Sequence, residues 1–141
     1  MNPMSSTLID SNVLMDLFDD ASEWQGWSDA MVFEARKRGP VLINPLIFAE
    51  VSAGYDSFDE VNEVLAEPFY RREPLPWEAA FLAGRAFWLY RQRGGTRTSP
   101  LPDFYIGAHA AVAGHTLLTR DARRYRHYFP KLRIVAPGGT V

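Results

Sequence analysis

Residues 7–18 read TLIDSNVLMDLF, and this stretch decides how the chain folds. Thr7 to Asp10 is a short apolar run ended by an acid. Val13, Leu14, Leu17 and Phe18 follow at helical spacing, so the hydrophobic period switches from strand to helix across Asp10. A strand that feeds a helix through one tight junction is the building unit of a parallel sheet. The acid at the junction sits between Leu8-Ile9 and Val13-Leu14, where a carboxylate is poorly solvated.

The same unit recurs along the chain. Ser28 is expected to cap a helix whose last turn, Arg36 to Arg38, complements the helix dipole before Gly39 supplies a left-handed stop. Val41 to Ile43 gives a buried strand, and Asn44-Pro45 supplies the cap and first residue of a helix carrying Glu50. Ser57 and Glu60 form a capping box that opens a helix through Val64 and Leu65. Phe69 to Glu73 reads as a short strand. The next helix carries Trp77, Ala80, Phe81, Gly84, Phe87 and Trp88 on one face and closes at Gly94-Gly95. We read that face as core, with a base-stacking platform as the other reading. A Gly/Pro-rich loop, Gly94 to Pro102, then delivers Asp103 to the head of a helix of small residues, Ala108 to Ala113. Thr116 to Thr119 reads as a strand, Asp121 to Tyr128 as a helix and Leu132 to Val135 as a last strand. Strands alternating with helices predict one α/β domain over residues 1–141, with a mainly parallel sheet covered on both faces.

No cysteine occurs among the 141 residues, which excludes disulfides and thiolate metal sites and leaves oxygen or imidazole ligands, the set that suits hard cations. Met1 to Thr7 lacks a basic region followed by an apolar run, and no segment is apolar over a membrane's width, so a cytoplasmic protein without a membrane partner is expected. The net charge of −2 hides an asymmetry, for residues 1–70 carry 13 acids and 3 bases while residues 71–141 carry 12 bases and 4 acids. The second half suggests an anionic partner, because arginine forks match phosphate oxygens; a solvated face that balances the acidic half is the alternative.

Four acids stand where chemistry gathers in such a sheet, beyond the carboxyl ends of the strands. Asp10 and Asp121 lie at or just beyond strand ends. Glu50 is about two turns into its helix and interrupts an apolar turn, and Asp103 opens a helix. Carboxylates held together repel unless a cation neutralises them, and Mg2+ or Mn2+ fits an all-oxygen site. Three of the acids also have a plain structural explanation, which Asp10 lacks: Asp103 and Asp121 stand where helix caps stand, and Glu50 can be one polar position on an amphipathic helix.

Local context adds to the spacing. LIDSNVLMD at 8–16, NPLIFAEV at 44–51, LPDFYIGAHA at 101–110 and LLTRDARRYRHYFP at 117–130 resemble the four acidic segments of PIN domains, most closely those of VapC toxins. Their order and the intervals of 40, 53 and 18 residues between successive acids follow the same pattern over almost the whole chain. The resemblance implies a three-layer α/β/α sandwich and an endoribonuclease dependent on Mg2+ or Mn2+. By this pattern Asp10, Glu50, Asp103 and Asp121 are the metal-binding and catalytic acids. Thr119 matches the hydroxyl residue beside the last acid, to orient a water or hold Asp121. Ser11 and Asn12 follow the first acid and are read as helix starters. The products would carry 5'-phosphate and 3'-hydroxyl ends.

Under this reading Arg120, Arg123, Arg124 and Arg126 guide RNA phosphates, an effect that weakens as salt rises. The resemblance further implies a homodimer and a VapB-like antitoxin whose tail fills a groove near the site; the apolar stretches Leu14 to Phe18 and Phe58 to Leu65 either line that groove or pack as ordinary core. A metal-independent ribonuclease would need His109, His115 or His127, none of which lies in a motif with a nucleophile. Other readings are a PIN fold that binds nucleic acid or a partner without catalysis, a housekeeping RNA-processing nuclease, and a phospho-acceptor receiver. The receiver needs an acidic pair on the first strand, where this chain has Asp10 alone.

Overall fold

β1 (Thr7–Ile9) stops at Asp10, whose extended backbone and side chain cap α1 (Ser11–Leu17). In this computed structural model residues 5–99 and 101–138 are described; the N-terminal reading of residues 1–4 and Pro100 of the Gly/Pro-rich loop lie outside them. α2 (Gln25–Arg38) begins three residues before the expected cap at Ser28. Ser28 lies inside the helix, fully buried, and donates to Asp16. The polar residue that looked like a cap thus serves a tertiary hydrogen bond, which no local pattern records. Gly39 ends α2 in an extended conformation (φ 166°), not the left-handed one. Pro40 explains this, because a residue before proline is pushed out of the helical region.

β2 (Val41–Ile43) leads to α3 (Pro45–Ser52), capped by Asn44, whose Oδ1 accepts the Ile47 N–H at 2.9 Å. Ser57 caps α4 (Phe58–Val64) through the Glu60 N–H, as the capping box predicts. β3 (Arg71–Arg72), α5 (Trp77–Gln92) and α6 (Pro102–Ala113) follow, then β4 (Thr116–Leu118), α7 (Arg123–Tyr128) and β5 (Ile134–Val135). The strands are shorter than their apolar runs, because pairing ends where the backbone turns into each helix or loop.

All five strands are parallel, in the order β3-β2-β1-β4-β5. Leu8 stands between Leu42 and Leu117, and these side chains are buried. The chain builds outward from β1 to β3, then returns to lay β4 on the other side of β1. Right-handed crossovers place α1 to α4 on one face and α5 to α7 on the other, giving the three-layer sandwich. Reversal of direction opens a crevice between the ends of β1 and β4, the topological switch point where open parallel sheets bind ligands.

α5 corrects one expectation. Its buried positions are Ala79, Ala83 and Ala86, packed against α6, while Trp77, Phe81 and Trp88 are 88, 71 and 49% exposed. Two stripes of equal period interleave on this helix, and period alone does not say which turns inward. The alanines turn inward because they let two helices approach closely. α6 meets α7 through another small residue. A Cβ at Gly107 would lie 2.5 Å from the Phe129 ring and 3.0 Å from that of Tyr125, so both rings rest on the α6 backbone.

Candidate active site

Asp10 lies at the switch point and is buried. Its Oδ1 accepts the Ser11 N–H at 2.8 Å, and its Oδ2 accepts the Thr119 hydroxyl at 2.8 Å and the Tyr125 hydroxyl at 2.9 Å. Burial raises the carboxyl from 3.8 to about 6, against the pull of the two hydroxyls, and the charge of Asp103 raises it further. Glu50 projects from α3 and accepts the Ser11 hydroxyl at 2.9 Å. Its carboxyl is raised by burial; the Ser11 bond offsets part of that, and Asp103 again adds repulsion.

Asp103 stands in the first turn of α6, and α6 takes no side-chain cap from it. Its Oδ1 accepts the Tyr125 hydroxyl at 3.3 Å, and its Oδ2 lies 3.4 Å from Arg124 Nη1. Asp10, Glu50 and Asp103 therefore share one electrostatic neighbourhood. Asp121 is set apart at the rim, its side chain 64% exposed, where Oδ1 accepts the Arg123 N–H at the start of α7. The capping reading given to Asp103 and Asp121 holds for neither, since Leu101 and Ala122 stand at the caps of α6 and α7 without a side-chain bond, and Asp10 is the acid that caps a helix.

Thr119 joins the two parts of the site. Its hydroxyl donates to Asp10 and accepts the Asp121 N–H at 3.2 Å, so it braces the first acid and the turn carrying the last. Asn12 ties the same turn to α1 by accepting the Arg120 N–H at 3.2 Å. Arg120 itself turns inward: its Nε lies 2.7 Å from Asp16 Oδ2 in an ionic contact without an aligned N–H, and its guanidinium covers Trp24. Arg123 and Arg124 line a cleft of about 430 Å³ with Asp103, Asp121, His127 and Tyr128. Arg126 faces a different hollow, beside Lys131 and Arg133.

The donor set fits a hard divalent cation. It is all oxygen, and Asp10 and Glu50 are both destabilised as anions by burial and by the charge of Asp103. Among the described residues no three of the four acids bring oxygens within 4.8 Å of one another. Ser11 holds Glu50 and Arg124 holds Asp103, which keeps the carboxylates apart.

A family model described as PIN domain matches residues 7–130. The chain belongs to the PIN domain family. Its fold is similar to that of VapBC2 from Rickettsia felis bound to a DNA fragment from their promoter, with TM-score 0.72, 15% identity and coverage of 93% of this chain and 98% of that one. A toxin-antitoxin complex from Klebsiella pneumoniae gives TM-score 0.61 at 21% identity, covering 93% and 97%. VapC20 of Mycobacterium tuberculosis, a sarcin-ricin loop cleaving toxin, gives 0.54 at 16%, covering 78% and 85%. No curated protein sequence matches the chain.

Within this PIN domain the sequence reading overlooked the roles of Ser11, Asn12 and Tyr125. Ser11 and Asn12 read locally as helix starters, although small polar residues directly after a buried acid are a usable signal. Tyr125 is an aromatic residue in a run of bases, RRYRHY, with nothing local to mark it.

A second cluster lies away from the acids. Glu73 Oε1 accepts the Nε2–H groups of His109 at 2.8 Å and His115 at 2.7 Å. Burial raises the Glu73 carboxyl, but the two imidazole bonds outweigh it and leave it below its ordinary value. Asn44 decides the tautomer. Its oxygen is held by the Ile47 N–H, so its amide nitrogen donates to His109 Nδ1 and the imidazole proton sits on Nε2, facing Glu73. That proton occupies the position a metal would need. The cluster is a hydrogen-bonded knot tying the α3 cap and β3–α5 connection to α6 and β4. His127 is exposed and contacts Arg93.

Proposed function

We propose that this PIN domain is a Mg2+- or Mn2+-dependent endoribonuclease acting in the cytoplasm as the toxin of a toxin-antitoxin pair. The observation that carries the reading is the desolvated Asp10 carboxylate flanked by Glu50 and Asp103 at the switch point. Asp10, Glu50 and Asp103 would hold the ion, with Asp121 at the rim. Bound there, the ion supplies charge neutralisation and acidification of water for phosphodiester hydrolysis. Thr119 and Tyr125 fix Asp10, and Ser11 fixes Glu50, so the carboxylates need little reorganisation. Arg123 and Arg124 flank the acids and offer guanidinium donors to RNA phosphates. Arg120 contributes by anchoring the turn that carries Asp121, and Arg126 can reach only the outer part of a bound strand. No described helix is long and apolar enough to cross a membrane.

The test uses purified protein freed of any partner, incubated with total cellular RNA. Cleavage in Mn2+ or Mg2+ that stops in chelator and leaves 5'-phosphate ends is expected. Undiminished cleavage in chelator, or cyclic phosphate ends, would sink the reading.

Two partners belong to the proposal. An antitoxin segment fits the apolar groove of about 390 Å³ between Ile43, Pro45, Phe48 and the exposed Phe58, with Arg72 and Glu73 at its edge. The likeness to toxin-antitoxin complexes supports that occupant. Of the two stretches read as groove walls, Leu14, Val61 and Leu65 belong to the core, and Met15, Phe18 and Phe58 are the members left exposed. A second copy of the chain fits the outer face of α5. Gly84 leaves open space there, and an antiparallel α5 would set Phe81 over Gly84 and Trp77 beside Trp88 of the other copy. Phe81→Glu is expected to convert a dimer to a monomer in sedimentation; a wild-type monomer, or a variant that still dimerises, would exclude this face.

A further inference from the structure

Tyr125 is the one described residue whose side chain hydrogen-bonds to the carboxylates of two site acids at once, reaching Asp10 Oδ2 and Asp103 Oδ1. Its side chain is buried, with the residue 1% exposed. The ring is seated by Gly107, whose missing Cβ leaves the room it occupies on α6. Buried tyrosines usually place their hydroxyl on a single backbone or side-chain acceptor; here it stands between two carboxylates from different elements.

A phenol has one proton to donate. It bonds fully to one carboxylate at a time, and the other then faces its oxygen lone pairs. The hydroxyl consequently draws two like-charged groups toward one point yet satisfies them incompletely, an arrangement that leaves attraction for a cation. The two acids also depend on it for their mutual placement. Asp10 belongs to the β1–α1 junction and Asp103 to the first turn of α6, and no other described side chain bridges them. Thr119, the second hydroxyl on Asp10, braces the Asp121 turn instead.

We propose that Tyr125 is a positioning residue of the cation site, a strut on α7 that sets the separation of Asp10 and Asp103. This rests on the metal-site reading above. Outer contacts of this kind typically alter metal affinity by about ten- to a hundredfold when removed. A merely structural tyrosine would alter stability and leave affinity alone.

The experiment is Mn2+ titration of wild type and Tyr125→Phe without RNA, followed by calorimetry, with folding verified by circular dichroism. The phenylalanine ring keeps the packing on Gly107, so the variant is expected to fold. The expected result is Mn2+ binding at least about tenfold weaker, with the Mn2+ concentration for half-maximal cleavage raised in step and the rate at saturating Mn2+ changed little. Thr119→Val, which spares the bridge, is expected to leave the Asp10–Asp103 pairing and so weaken Mn2+ less. Should Tyr125→Phe misfold, Tyr125→Met, which also removes the hydroxyl and keeps an apolar side chain on Gly107, gives the second measurement, with the same weakening of Mn2+ binding expected. Equal or tighter Mn2+ binding by whichever variant folds would overturn the proposal. Wild type that binds no Mn2+ would overturn it together with the metal-site reading. Mn2+ binding that depends on Tyr125 without RNA cleavage would uphold the strut and remove the nuclease.

Discussion

Asp10→Asn is expected to abolish metal-dependent RNA cleavage and, at the same time, to make the metal-free protein more stable at neutral pH. The carboxylate is the buried centre of the acidic cluster, and losing it forfeits several kcal/mol of charge stabilisation in the transition state. That corresponds to about three orders of magnitude in rate. The stability change has the opposite sign. The folded Asp10 carboxyl keeps its proton up to about pH 6, whereas the unfolded chain releases it near 3.8. Between those values the native state binds more protons than the unfolded one, so this residue's contribution falls as pH rises through the window, by about 3 kcal/mol.

An asparagine carries no such charge. Its oxygen can accept the Ser11 N–H, and the Thr119 and Tyr125 hydroxyls can rotate to accept from its amide. Thermal melts at pH 5 and pH 7.5 in chelator provide the measurement. Wild type should lose stability relative to the variant between the two, and Mn2+ should restore wild type while leaving Asp10→Asn unmoved. A variant no more stable than wild type at pH 7.5 would show that the carboxylate is not destabilised by its burial.

Asp16→Ala is the second large effect, and it falls on folding. Asp16 is buried at the end of α1, where Oδ1 accepts the Ser22 hydroxyl at 2.9 Å and Oδ2 accepts the Ser28 hydroxyl at 2.8 Å beside the Arg120 guanidinium. Removing the carboxylate leaves the fully buried Ser28 hydroxyl without a partner and a cation beside Trp24 without its counter-ion. Breaking a buried pair typically costs 3–5 kcal/mol. Arg120 is a third exposed and can take up water, so about 3 kcal/mol is expected here. The midpoint of urea unfolding measures it. A loss below about 1 kcal/mol would place the pair among surface ion pairs of little consequence. Arg120→Ala should then lower stability more than it lowers affinity for RNA, in contrast to Arg124→Ala.

The order of elements was readable in the sequence because each rests on local physics. Apolar runs ended by Asp10 and Asn44, the Pro45 start and the Ser57 capping box specify where strands and helices change over, and the structure keeps all of them. Errors arose where a local signal had two outcomes. The two stripes of α5 share one period, so the aromatic face was taken for the core when the alanine face packs on α6. Ser28 has the chemistry of a cap and the location of a buried partner for Asp16. Gly39 allowed a left-handed stop, but the proline after it selected extended backbone.

The site divides in the same way. Sequence by itself determined the identity and order of the four acids, their positions at strand ends and helix starts, and an all-oxygen donor set in a chain without cysteine. Tertiary structure alone decided that Asp10, Glu50 and Asp103 form the electrostatic core while Asp121 stands at the rim, that Ser11, Thr119 and Tyr125 hold the acids, and that Arg120 faces inward. The physical reason is range. Capping and periodicity act within about a turn of helix or a few strand residues, whereas Tyr125 lies 115 residues from Asp10 and 22 from Asp103 along the chain. Such partners meet only after parallel pairing of β1 with β4 has closed the crevice between them.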